Sequence, residues 1–230
     1  MRNLTDIDAL AMDIARTIGQ YPKLRKSTNW HLRLDRSYSL PFLEGWLDIR
    51  DPNGQSVDAV QVQLCFTRQF PYCYPKVYEI GGRFAIDKWD ILHVNSNGTL
   101  CLDVPQHEII HTCHGLATND FISSVLIPNL AWRVHKLDWP NEELQEHRHG
   151  LEGLLDEYKL MFNSSSKQVV IQGIELFMAN RLLEPDSLCF CGSGKIYRLC
   201  HSSAIESLRP LPINLLQSHL IALKRNPDSL

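Results

Sequence analysis

The run Cys189-Phe190-Cys191-Gly192-Ser193-Gly194-Lys195-Ile196-Tyr197-Arg198-Leu199-Cys200-His201 restricts this chain more tightly than any other segment. Three thiols and an imidazole in so short a stretch reach one ion only if the backbone doubles back between the first ligand pair and the second. This is the donor set of a closed tetrahedral zinc site. Cys189, Cys191, Cys200 and His201 fill all four positions and leave none open for chemistry. Gly192 and Gly194 suit the tight turn, because glycine enters positive φ without steric cost. Lys195 and Arg198 offset part of the thiolate charge. Phosphate cradling by Gly192-Ser193-Gly194 is a poor alternative, since the rest of a phosphate-loop pattern is missing.

The chain holds seven cysteines in 230 residues, an odd number with three of them in this cluster. The N-terminus lacks the apolar core of a signal peptide, and no apolar run is long enough to span a bilayer. The expectation is a cytoplasmic protein in a reducing compartment, with thiols for metal and catalysis rather than disulfides and no membrane partner. A formal charge of −3 provides no whole-molecule basic field, so nucleic acid is not expected as a partner.

Elsewhere the pattern predicts an α+β arrangement. Residues 5–18 read as an amphipathic helix, with Thr5 and Asp8 as a capping box, Ile7, Leu10, Ala11, Ile14 and Ile18 on one face, and Gly19 as the stop. Strands are expected at 29–35, 42–50, 58–67 and 76–80. In the third, Val60, Val62, Leu64 and Phe66 alternate with Gln61, Gln63 and Cys65, as in a half-buried antiparallel strand. Helices follow: one opened by Thr118 or Asn119, which Pro128 must kink or end; one from Asn141 to Phe162; one over 168–183; and one over 213–223. Asn163-Ser164-Ser165-Ser166 reads as a linker. The expected organisation is a main domain at 1–162, a linker and helix at 163–188, the metal element at 189–201 and a tail at 202–230.

Cys101 stands at the end of Asn95-Ser96-Asn97-Gly98-Thr99-Leu100-Cys101-Leu102-Asp103. Asn97-Gly98 favours a tight turn that lifts Leu100-Cys101 out of the preceding segment. A thiol so placed suits an acyl carrier, which needs partial exposure and donors for an oxyanion. The alternative is a buried structural cysteine. Between 104 and 118, His107, His111, Cys113 and His114 form either a metal-binding group or an active-site flap.

Phe70-Pro71-Tyr72-Cys73-Tyr74-Pro75 followed by the Cys101 segment resembles the core of bacterial ubiquitin-conjugating (UBC-fold) enzymes over about residues 5–162. The resemblance implies an N-terminal helix, a four-stranded antiparallel meander and C-terminal helices. It also implies that Cys101 carries a ubiquitin-like protein, or another protein's C-terminus such as that of a cyclic-nucleotide synthase, as a thioester. The acyl group would come from an activating enzyme and pass to a target amine, in anti-phage defence. The family's His-Pro-Asn asparagine lies eight residues before its cysteine, and here that position is His93, with Leu92 in place of the proline. His93 is the expected helper at the tetrahedral intermediate. Asp120 and Asp138 are both candidates for the family's acidic residue near the attacking amine. The 189–201 stretch is similar to the SEC-C motif, which implies a structural zinc and a protein-docking role. The rivals are a non-catalytic UBC-fold and zinc adaptor, and a cysteine hydrolase using His93 and Asp103.

Overall fold

Alternating apolar residues build the sheet. The computed structural model describes residues 7–27, 40–84, 89–140 and 150–225. Strands β1 (Leu24–Ser27), β2 (Phe42–Arg50), β3 (Ser56–Cys65) and β4 (Lys76–Glu79) pair antiparallel in the order β1-β2-β3-β4. The strand expected at 29–35 falls outside the described residues, and β1 precedes it in sequence. Val60, Val62 and Leu64 of β3 face the main core as predicted. The opposite face is not solvated as expected: Gln63 and Cys65 are buried, and Cys65 packs with Phe42 and Tyr78 in a second apolar cluster. Register explains this, since Cys65 pairs with Phe42 and Gln63 with Tyr78.

The chain divides into two compact units, residues 1–103 with 111–144 and residues 104–110 with 145–230. In the first, helix α1 (Ile7–Gln20) buries Leu10, Ile14 and Thr17. The Thr17 hydroxyl enters the core satisfied, because it donates to the Asp13 carbonyl at 2.9 Å. Ile7, expected on the buried face, is 63% exposed. Gly19 does not stop the helix, which continues to Gln20 and ends where Pro22 removes a donor. The expected Thr5 cap lies outside the described residues.

Helix α2 (Trp89–Leu92) precedes the Cys101 segment, and helix α3 (Pro105–Thr112) follows it, where the sequence suggested a flap. Helix α4 (Thr118–Phe121) runs through a π-helical turn at Ile122–Leu126 into α5 (Ile127–Asp138). Neither Thr118 nor Asn119 caps α4. Asp13 of α1 does so instead, accepting from the Thr118 amide at 2.9 Å and its hydroxyl at 2.6 Å. Pro128 does not end the helix, because it sits in the first turn of α5, just past the widened turn, where its missing donor is tolerated.

In the second unit, α6 (Gly150–Met161) and α7 (Lys167–Met178) share one core through Leu155, Tyr158, Phe162, Val170 and Ile174. The expected boundary at 163–167 therefore falls inside a unit. Asn163-Ser164-Ser165-Ser166 is a helix-to-helix turn in which the Ser166 hydroxyl caps α7 by accepting from the Val169 amide. Phe162 then lies so close to Gly173 that a β-carbon there would meet its ring at 2.2 Å. Helix α7 ends before the predicted 183. Asn180 takes a φ of 50°, and the Asn180 and Arg181 amides return to the Phe177 and Leu176 carbonyls as a Schellman cap. Helices α8 (Ser202–Glu206) and α9 (Ile213–Arg225) complete the unit, and the start of the helix predicted from Asn141 lies outside the described residues.

Candidate functional site

Residues 93–101 form a miniature hairpin. The Cys101 amide donates to the His93 carbonyl at 2.8 Å, Val94 pairs with Leu100, and the Asn95 amide donates to the Thr99 carbonyl at 2.8 Å. The turn closes with the Gly98 amide on the Asn95 carbonyl, and Gly98 takes φ 82°, a region that suits glycine. Asn97 Oδ1 accepts from the Thr99 amide and hydroxyl. The hairpin joins β4 through the Leu100 amide on the Val77 carbonyl. His93 and Cys101 are thus cross-strand neighbours. The His93 ring packs edge-on against Trp132, with centroids 5.2 Å apart, and its backbone holds φ 52°, uncommon outside glycine.

A side chain the sequence reading missed locks this hairpin. Arg133 is fully buried in α5 and donates from Nε to the Leu92 carbonyl at 2.9 Å and from Nη2 to the Cys101 carbonyl at 2.7 Å. Further bonds reach the His93 and Asn129 carbonyls and Asn129 Oδ1. Asn129 itself donates to the Leu102 carbonyl at 3.1 Å. A guanidinium in a fixed fork suits several converging carbonyls. Burial lowers its pKa to about 10, which still leaves it cationic at neutral pH. The signal was present in sequence: Arg133 interrupts the buried stripe of Leu126, Leu130 and Val134, where a charge requires partners.

The Cys101 thiol is half-buried. Burial raises its pKa, Arg133 opposes the rise, the Asp103 carboxylate adds to it, and a hydrogen bond from the Asp103 backbone opposes it. The protonated thiol is the resting form. Asp120 adds to the rise that burial causes in the Tyr21 hydroxyl pKa, and Asp138 contributes to the raised pKa of Arg83. The charges acting on Cys101 are those of Arg133 and Asp103. Beside it, the Tyr74 hydroxyl donates to Asp103 Oδ2 at 3.2 Å and meets His111 Nδ1 at 2.8 Å. Among the described residues His107, His111, Cys113 and His114 do not gather into a metal-binding group.

The second site is in the second unit. Ligand atoms of Cys189, Cys191, Cys200 and His201 all lie within 4.8 Å of one another, so they can hold a metal ion. Cys189 Sγ is 3.3 Å from His201 Nδ1, Cys200 Sγ is 3.2 Å from it, and Cys191 Sγ is 3.6 Å from Cys200 Sγ. Bonds of about 2.0–2.3 Å to a tetrahedral zinc separate its ligands by distances of this size. The turn is built as the glycines suggested, with Gly192 at φ 74° and Gly194 at φ 75°. The Cys189 amide donates to the Lys195 carbonyl, and Leu188 pairs with Ile196. Phe190 and Phe162 flank the His201 ring at 5.3 and 6.0 Å. Burial pushes Cys189 up to about 11, whereas for Cys191 burial is outweighed by hydrogen bonds with Ser193, Cys200 and Cys189 together, which lower it to about 6.

Among the described residues no helix is long and apolar enough to cross a membrane. No protein-family model, curated protein or solved structure matches this chain.

Proposed function

We propose that the protein is an acyl carrier of the ubiquitin-conjugating type. Cys101 accepts the C-terminal carboxyl group of a ubiquitin-like protein, or of another protein such as a cyclic-nucleotide synthase, from an activating enzyme. It then passes that group to a target amine. The observation carrying this reading is the Cys101 hairpin itself: a half-buried, protonated thiol whose backbone is fixed at both ends by buried Arg133. A carrier thiol needs accurate placement more than a permanently ionised sulfur, since it receives its acyl group from another thioester and must also release it. Arg133 favours the thiolate that leaves when the amine attacks, and His93 supports the tetrahedral intermediate from across the hairpin. The UBC-type order of helix, four-stranded meander and cysteine supports the same reading, as does the similarity in the Phe70–Pro75 and Cys101 segments. Zinc is the ion proposed for the 189–201 cluster, as a structural centre that shapes a protein-docking element. Cytoplasmic action is part of the proposal on the cysteine usage, and a role in anti-phage defence on the resemblance alone.

The test is incubation with ATP, an activating enzyme and a ubiquitin-like protein, followed by intact mass measurement. An adduct sensitive to reductant is expected on the parent, none on Cys101→Ala, and a reductant-resistant ester on Cys101→Ser. An unchanged adduct on Cys101→Ala would refute the reading. No adduct on any variant would favour the non-catalytic adaptor.

A further inference from the structure

Tyr74, Asp103 and His111 form a hydrogen-bonded chain that the carrier reading leaves unused. A carboxylate only accepts, so the single Tyr74 proton goes to Asp103 Oδ2 at 3.2 Å. The 2.8 Å contact to His111 must then be donated by Nδ1–H to the phenol oxygen. This proton count fixes the tautomer and makes Nε2 the basic nitrogen of the ring. The arrangement is held from both sides. The Thr112 hydroxyl donates to the Tyr72 carbonyl at 3.1 Å and the Leu116 amide to the Pro71 carbonyl at 2.9 Å, tying the segment that carries His111 to the one that carries Tyr74. Tyr74 is buried against Phe121, with ring centroids 5.3 Å apart, so the phenol cannot swing away. Asp103 links the chain to the thiol: it lies two residues past Cys101, its charge is felt at the sulfur, and its backbone hydrogen-bonds to it. A base oriented by an acceptor behind it is the arrangement that supports proton abstraction beside a thioester.

We infer that His111 is the general base for the amine that discharges Cys101, with Tyr74 and Asp103 as positioning residues; this rests on the acyl-carrier reading. The amine nitrogen lone pair forms the new C–N bond at the thioester carbonyl. The C–S electron pair leaves with Cys101 as thiolate, and the proton lost by the nitrogen goes to His111 Nε2. Returning that proton to the sulfur regenerates the resting thiol and the basic ring.

The two steps can be separated experimentally. The full-length protein is loaded by exchange with a synthetic peptide thioester ending in Gly-Gly, and discharge is followed with free lysine or with hydroxylamine, which is unprotonated at neutral pH. His111→Ala is expected to load like the parent yet discharge to lysine about 100-fold more slowly, with hydroxylamine changed less than about 3-fold, in the range of a lost general base. Added imidazole should restore part of the lysine rate, and Tyr74→Phe should lose about 10-fold on lysine alone. His111→Gln retains a donor to Tyr74 but no base, and serves the same comparison if the alanine variant fails to fold. Equal slowing with both nucleophiles, or no slowing with lysine, would overturn the inference while leaving the carrier intact. A parent that takes up no peptide on Cys101 would overturn the carrier reading and the inference with it.

Discussion

The two units use the same side chains to opposite ends. Cys101 is a single thiol held by backbone, whereas Cys189, Cys191 and Cys200 converge with His201 into a closed donor set. The Tyr–His pairs repeat the contrast. Tyr74–His111 and Tyr158–His219 have nearly the same hydrogen-bond lengths, 2.8 and 2.9 Å, and nearly the same ring separations, 5.9 and 5.8 Å. Only the first pair has a carboxylate behind the phenol among the described residues. Neither thiol nor imidazole therefore declares its role by type. The third group differs: Arg133 and Asp103 around the thiol proposed to react, further thiols around those that can hold a metal ion.

The largest expected effect separates the units through metal. Structural zinc contributes about 10–16 kcal/mol of apparent binding energy, comparable with the whole stability of a domain. Removing it with a chelator, or Cys189→Ser, should release the ion and unfold the 189–206 region. Protection of the Cys101 hairpin against hydrogen exchange should stay as it was. Equal metal content in Cys189→Ser and the parent would remove the basis for calling this cluster a centre. The converse break is smaller. Arg133→Met strands the Leu92 and Cys101 carbonyls, and since each buried unpaired group costs about 1–3 kcal/mol, a loss of about 2–6 kcal/mol is expected by denaturant unfolding. Thioester loading should fall with it and metal content should hold. A variant as stable as the parent would mean that the hairpin does not depend on the clamp.

These two perturbations also explain what could be read in the sequence. The four-donor cluster was legible because its cysteines, histidine and both glycines lie within one short stretch, so local geometry is enough to bring the donor atoms together. The sheet was legible where alternation was clean, as at Val60, Val62 and Leu64. Around Cys101 only the hairpin is local. Arg133, Asn129, Tyr74 and His111 arrive from distant positions, and no spacing rule joins them to the cysteine. Burial of both faces of β3 at Gln63 and Cys65 was equally hidden, because it depends on which residues register opposite them. Asp13 capping α4 belongs to the same class, since its partner is 105 residues away.

The smallest effect tests whether the second Tyr–His pair is only structural. His219 is partly buried against Tyr158, and burial alone lowers its pKa from the ordinary 6.5. A histidine depressed in the folded state is held neutral there, while the unfolded chain takes up a proton more readily. Stability from this site is therefore complete above pH 6.5 and is lost as the pH falls through the lowered folded value. Metal release by acid runs in the same direction, so the informative quantity is a difference between proteins. Metal-loaded His219→Gln should lose less melting temperature between pH 7.5 and 5.5 than the metal-loaded parent, with lysine discharge from Cys101 unaffected at pH 7.5. If discharge fell with His219→Gln as it should with His111→Ala, the distinction between the two pairs would collapse. If the melting curves of parent and variant moved together with pH, His219 would not carry the acid response, and the metal ligands alone would account for it.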